Sequence, residues 1–160
     1  MIGEAAAQEM QGTARKAGAV GKKAVLPEIV KHRIQDGDRV LDFGAGPHKR
    51  HVQDIQAACP GARVEGYDFG DDWEATTAQE WDVVYASNVL NVQVTMHTLF
   101  ATLDQLAMLQ GTGRLFVNYP KEPRKLGLSV QDMKRALENH GWAVKEIEKG
   151  NSQVWELVKQ

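Results

Sequence analysis

Apolar residues recur along this chain in two alternating rhythms, short continuous runs and helical spacing, and their alternation predicts an α/β fold. Runs starting at Val40-Leu41, over Arg63–Tyr67, Asp82–Ala86 and Arg114–Asn118 read as strands. Val25, Leu26, Ile29, Val30 and Ile34 fall near helical spacing and predict an amphipathic helix over Lys22–Ile34, with Pro27 near its first turn. Asp36-Gly37-Asp38 marks the turn into the first strand. A second helix is predicted over His48–Cys59, closed by Pro60-Gly61. A third spans Thr95–Leu109, where Leu99, Leu103, Leu106 and Leu109 share one face, and Gly111-Thr112-Gly113 breaks it. Ser129 is an N-cap signal for a fourth helix, with Asp132 at the capping-box position and Gly141 ending it. Trp142–Glu148 and Ser152–Val158 alternate like half-buried strands around a Gly150-Asn151 hairpin turn. The polar stretch Phe69–Glu80 is too short for another helix-plus-strand unit, so it is predicted to be trimmed.

This order predicts a mostly parallel sheet covered by helices on both faces, with a C-terminal antiparallel hairpin strand. Residues 22–160 read as one domain. Residues 1–21, rich in Ala, Gly and Gln and interrupted by Gly3, Gly12, Gly18 and Gly21, read as a flexible or partly helical arm.

Composition narrows the picture by exclusion. The formal net charge of -2 over 160 residues gives no global pull towards nucleic acid or membrane. Cys59 is the one cysteine, which excludes an intramolecular disulfide and a cysteine-based zinc cluster. No stretch approaches the roughly 18 apolar residues that span a bilayer. The N-terminus lacks the apolar core of a signal peptide, so the expected location is cytoplasmic. His48, His51 and His97 lack acidic or cysteine ligands at supporting spacing, and no metal is assigned to them.

The chemistry concentrates in Val40-Leu41-Asp42-Phe43-Gly44-Ala45-Gly46, a buried strand that ends on an acid and enters a glycine-rich turn. Glycines there permit backbone approaches that a side chain would block, and Pro47 suits the first turn of a following helix. Strand-to-helix turns of this kind bind cofactors in α/β folds. A dinucleotide fingerprint needs a third glycine where Lys49 stands, which weakens a nicotinamide reading.

Asp42-x-Gly44-x-Gly46, with Asp68 ending the next strand, resembles the class I S-adenosylmethionine (SAM)-dependent methyltransferases. The resemblance covers residues 22–160 by element order and is most specific over 39–68. It implies a Rossmann-like three-layer αβα sandwich and SAM as cofactor. By the same resemblance Asp42 sits near the methionine moiety, Phe43, Gly44, Ala45 and Gly46 line the cofactor, and Asp68 holds the ribose hydroxyls. Asp71 or Asp72, with Phe69 or Trp73, would serve the adenine, and Asn88 would face the cofactor and its methyl group. Lys22 and Lys23 open a helix that often lids the cofactor in this family. Two departures stand out: His48 occupies the place of a third glycine, and the usual third unit after Asp68 is missing.

The acceptor is open. Ser87-Asn88-Val89-Leu90-Asn91 differs from the (Asp/Asn)-Pro-Pro-(Tyr/Phe) motif of amino-methylating DNA enzymes, and no Pro-Cys pair marks a cytosine C5 mechanism. The run Asn88–Val92 is similar to methyltransferases associated with DNA modification, yet names no substrate. Asn88, Asn118 and Tyr119 are the candidate catalytic residues, and Lys121, Arg124 and Lys125 a candidate basic loop for an anionic substrate. The small-molecule cofactor is the first partner; nucleic acid and a protein partner stay open. The leading function is SAM-dependent methyl transfer. The alternatives are a non-catalytic binder of SAM or S-adenosylhomocysteine, or a partner subunit, and a nucleotide-dependent oxidoreductase.

Overall fold

The computed structural model describes residues 25–123 and 125–160, so the arm, Lys22, Lys23 and Arg124 lie outside the described residues. Helix α1 (Val25–Lys31) leads into β1 (Arg39–Phe43), and α2 (Arg50–Ala58) connects it to β2 (Arg63–Tyr67). A short α3 (Trp73–Thr77) precedes β3 (Val83–Ala86), and a single 3₁₀ turn, Leu90–Val92, precedes the long α4 (Met96–Gln110). Strand β4 (Arg114–Pro120), α5 (Val130–Asn139), β5 (Trp142–Glu148) and β6 (Ser152–Lys159) complete the order.

The six strands form one sheet in the order β2-β1-β3-β4-β6-β5. The pairs among β1 to β4 are parallel, whereas β4–β6 and β5–β6 are antiparallel. The chain therefore has the mostly parallel, helix-covered sheet that its apolar rhythm predicts and the Rossmann-like architecture that the resemblance implies, with the C-terminal hairpin inserted antiparallel beside β4. Strand β2 forms one edge, since no strand follows it before β3.

Successive residues of each strand point to opposite faces, and the core divides accordingly. Val40, Val83, Tyr85, Phe116 and Val154 pack with Leu26 and Val30 of α1 and Ile55 of α2. Leu41, Val84, Leu115, Val117 and Leu157 pack with Leu99, Leu103 and Leu106 of α4 and Met133 and Leu137 of α5. Those five helical residues are fully buried, each worth about 1.5–3 kcal/mol of transfer free energy. Trp81, Trp142 and Trp155 belong to the same core, and Trp73 lies half-buried against it.

Three local features differ from the sequence reading. Pro47 does not sit in the first turn of α2, which starts only at Arg50. Gly46 has φ 81° and Lys49 φ 47°, and the Lys49 N–H returns to the Gly46 carbonyl, so residues 44–49 form a loop. The trimmed segment after β2 still folds a short helix, because the Asp72 carboxylate accepts the Ala75 N–H and caps it. Strand β4 runs on to Pro120, since pairing with β6 extends as far as Ser152. Among the described residues, no helix is long and apolar enough to cross a membrane.

Candidate functional site

The carboxyl ends of β1, β2, β3 and β4 converge on one rim of the sheet. Asp42 lies opposite Gly66 of β2 and Tyr85 of β3, in the middle strand of this trio. It is 2% exposed, and the Tyr85 hydroxyl donates to its Oδ2 at 2.8 Å. Burial pushes the Asp42 carboxyl up to about 7; the Tyr85 hydrogen bond pulls the other way, and the neighbouring Asp68 charge adds to the rise. Burial and the Asp42 charge together raise the Tyr85 phenol far above its ordinary range, so it stays a donor.

Beyond Asp42 the chain turns on Gly44, at φ 78°. The N–H groups of Gly44 and Ala45 both donate to the Tyr67 carbonyl, which folds the turn back onto the end of β2. A Cβ on Gly44 would lie 2.7 Å from Cγ2 of Val89, so this glycine is where the β1 turn meets the turn after β3. Phe43 points the other way, 4% exposed in the α4 core and stacked on Tyr67. Only its backbone borders the rim.

Asp68, 7% exposed, follows β2 directly, and its Oδ1 accepts the Phe69 N–H. Asp71 closes this turn: its Oδ2 accepts the Asp68 N–H and lies 2.7 Å from Lys49 Nζ. The pair therefore ties the turn after β2 to the loop after β1. Asp72 spends its Oδ1 on the cap of α3, and Phe69 is half-buried. Trp73 meets Tyr67 edge-on, 5.3 Å between ring centroids.

After β3, Asn88 adopts φ 56°, a left-handed conformation that asparagine tolerates better than most residues. Its backbone N–H donates to Oδ1 of Asn118 at 2.7 Å, and Nδ2 of Asn118 donates to Oδ1 of Asn88 at 2.9 Å and to Oγ of Ser152 at 2.9 Å. Asn118 is 2% exposed and lies beneath Asn88, which is half-buried. The flanking Ser87 Oγ and Asn91 Oδ1 are buried with no hydrogen-bond partner among the described residues.

The structure does not bring Tyr119 into this group. It lies 1% exposed on the opposite face of β4 from Asn118, and its hydroxyl donates to the Leu128 carbonyl at 2.8 Å. Burial, with the Asp132 charge, pushes its phenol up to about 12. Lys121 and Lys125 lie on the loop after β4, exposed and half-buried respectively, while Arg124 falls outside the described residues. Tyr85 was missed by the sequence reading, in which Val83-Val84-Tyr85-Ala86 is simply a buried strand. No group of three potential metal ligands gathers among the described residues.

No family profile matches this chain, and no curated protein matches it. Solved structures do match by shape. A TehB-like SAM-dependent methyltransferase from Corynebacterium glutamicum has a TM-score of 0.55 at 14% identity, with 99% of this chain and 100% of that one covered. A release-factor-specific protein-(glutamine-N5) methyltransferase from Alicyclobacillus acidocaldarius gives 0.52 at 18% identity, over 85% and 90%. An O-methyltransferase family protein from Burkholderia thailandensis gives 0.61 at 12% identity, covering 84% of this chain and 55% of that one. The chain thus spans about half the length of that last protein. Strand order, layers and these matches together show that this chain has the Rossmann-like fold of the class I SAM-dependent methyltransferases.

Proposed function

We propose that this chain binds SAM at the rim formed by Asp42, the Gly44–Gly46 turn and Asp68, and transfers its methyl group to an acceptor beside Asn88. One observation carries the reading: two buried carboxylates flank the glycine turn, and a neutral tyrosyl hydroxyl is the hydrogen-bond partner of Asp42 among the described residues. Burial makes the Asp42 carboxylate costly to ionise, so a positively charged ligand beside it is favoured. SAM brings an ammonium and a sulfonium, and its ribose offers vicinal hydroxyls that a carboxylate such as Asp68 can accept. Lys49 in place of a third glycine is what weighs against a dinucleotide, and so against the oxidoreductase alternative.

Bound SAM supplies an already activated methyl, so the protein's task is to hold the acceptor in line with it. Gly44 keeps the β1 turn close to Val89, and with it the Asn88 turn. Asp42 would balance the cofactor's charge, the Gly44–Gly46 backbone would lie along it, and Asp68 would take the ribose. Titration calorimetry with SAM, S-adenosylhomocysteine and NAD tests the reading. Binding of SAM or its product without NAD is the expected result; NAD binding alone overturns it. Transfer of labelled methyl from SAM into a cell extract then separates enzyme from non-catalytic binder.

A further inference from the structure

We infer that the acceptor of this site is an oxygen anion, a carboxylate or a phenolate, and that Asn88 receives it through its side-chain NH2 group. The inference rests on the SAM-binding reading above and deepens it. An isolated asparagine amide can present either its oxygen or its nitrogen to a ligand, and here the hydrogen bonds decide which. A backbone N–H can only donate, so the Asn118 atom that meets the Asn88 N–H at 2.7 Å must be the amide oxygen. The other end of Asn118 is therefore NH2, and the atom of Asn88 that it meets at 2.9 Å must be an oxygen. The second hydrogen of the Asn118 NH2 goes to Ser152 Oγ at 2.9 Å. Every polar atom of Asn118 is engaged, and Asn88 Oδ1 is held by it.

What remains on Asn88 is Nδ2, which has no hydrogen-bond partner among the described residues. Asn88 therefore offers the rim two N–H donors and keeps its carbonyl oxygen turned to Asn118. Donors attract a lone pair and repel an N–H, so an oxygen anion fits and an amino group does not. No general base need then be found. Tyr119, with its hydroxyl on Leu128, is not placed to act as one. A deprotonated oxygen attacks the methyl carbon, the carbon–sulfur bond breaks with its electron pair going to sulfur, and the sulfonium becomes a neutral thioether. No proton moves. Asn118 is the positioning residue of this arrangement, since among the described residues it is the one that fixes which way the Asn88 amide faces.

The test uses the full-length protein with S-adenosylhomocysteine or SAM, and acetate, benzoate, 4-nitrophenolate and methylamine as probes. In protein labelled with 15N on asparagine, the Asn88 NH2 resonances should shift with the oxygen probes in the presence of S-adenosylhomocysteine and stay in place with methylamine. With labelled SAM, methyl should enter the oxygen probes. Mild alkali then tells the two sources apart, since a methyl ester releases methanol and an aryl ether does not. Asn88→Ala should lower kcat/KM for these probes by about 10- to 100-fold, the effect of losing a hydrogen bond to a charged group. Asn88→Asp keeps an oxygen facing Asn118 and turns a second oxygen outward. Asn118→Asp retains an oxygen for the Asn88 N–H but forces the Asn88 amide to rotate, with the same outward result. Both variants should lose the oxygen probes and gain on methylamine, and either one that folds suffices. SAM binding without transfer to any probe, or wild-type preference for methylamine, overturns the inference. Failure of SAM to bind overturns instead the functional reading beneath it.

Discussion

Tyr85 and Asp42, neighbours across the parallel pair β3 and β1, share a 2.8 Å hydrogen bond in which a phenol supports a buried carboxylate. The two are forced together by register, because even-numbered residues of β1 and odd-numbered residues of β3 point to the α1–α2 side of the sheet. Removing the hydroxyl removes the interaction that holds the Asp42 carboxyl down against the pull of burial. Tyr85→Phe should therefore leave Asp42 protonated to higher pH and weaken SAM binding by roughly tenfold at pH 7. The loss should shrink as pH rises further above 7, as the variant's Asp42 ionises too. Calorimetry across that range checks the prediction, and an equal loss at every pH would show that Tyr85 acts otherwise.

Asp42 should also shape stability in the absence of ligand. Its carboxyl rises from an ordinary 3.8 to about 7 in the fold. Between those values the folded chain holds a proton that the unfolded chain has lost, so its contribution is fully present below pH 4. It falls as pH rises to about 7 and is flat above. The shift corresponds to roughly 4 kcal/mol. Glu156 runs oppositely, its carboxyl lowered by the Arg114 guanidinium, so the comparison must be made between proteins rather than along one curve. Asp42→Asn should be more stable than the wild type at pH 8 and show a smaller difference at pH 5, while binding SAM poorly. Urea unfolding of both proteins at the two pH values measures it; a difference independent of pH contradicts it.

The places of Asp42, Gly44, Gly46 and Asp68 in the fold were readable because local rules set them: a strand period, a glycine turn and an acid at the next strand's end. What escaped was set by contacts distant in sequence or by unusual torsions. Tyr85 reads as core until the β1–β3 register puts its hydroxyl on Asp42. The Asn88–Asn118 clamp joins residues 30 apart through the β3–β4 pairing, and no spacing rule announces it. Pro47 was assigned to a helix because proline favours that position, but Lys49 at φ 47° delays the helix. Nor did any pattern announce that the Asp72 Oδ1 caps a helix, since five residues are too few to show a period.

Gly44 couples the two turns of the site, and its substitution should reveal that coupling. Its φ of 78° is disfavoured for any residue with a Cβ, and a methyl there would press on Val89 at 2.7 Å. Gly44→Ala combines torsional strain with a contact that must be relieved by moving Val89, for a loss of about 1–3 kcal/mol. Because Val89 follows Asn88 directly, SAM affinity and the Asn88 resonances should change together. Crystallography of the variant, or its spectrum, would show the shift; a Gly44→Ala protein with wild-type stability and an unmoved Asn88 turn refutes this account.

Gln110 offers the control at the opposite end of the sheet. It ends α4 at 3% exposure, and its amide serves three partners. Nε2 donates to the carbonyls of Leu157 at 2.9 Å and Gly113 at 3.2 Å, while Oε1 accepts the Trp142 indole N–H at 2.8 Å. One side chain thus fastens α4 to both strands of the antiparallel hairpin. Gln110→Leu fills much of the volume but strands the Trp142 N–H in an apolar core, at a cost of about 2–4 kcal/mol. Gln110→Glu keeps an acceptor for Trp142 yet sets an oxygen against the Leu157 carbonyl, so it should recover little. Both variants should lower the urea midpoint and alter the near-ultraviolet signal of Trp142. Gln110 lies beside the amino end of β4, whereas Asp42 and Asn88 sit at the carboxyl ends of the parallel strands, so SAM affinity should be unchanged while the variants remain folded. A loss of affinity matching that of Asp42→Asn, without loss of stability, would mean that the two ends of the sheet are coupled in a way these hydrogen bonds do not provide.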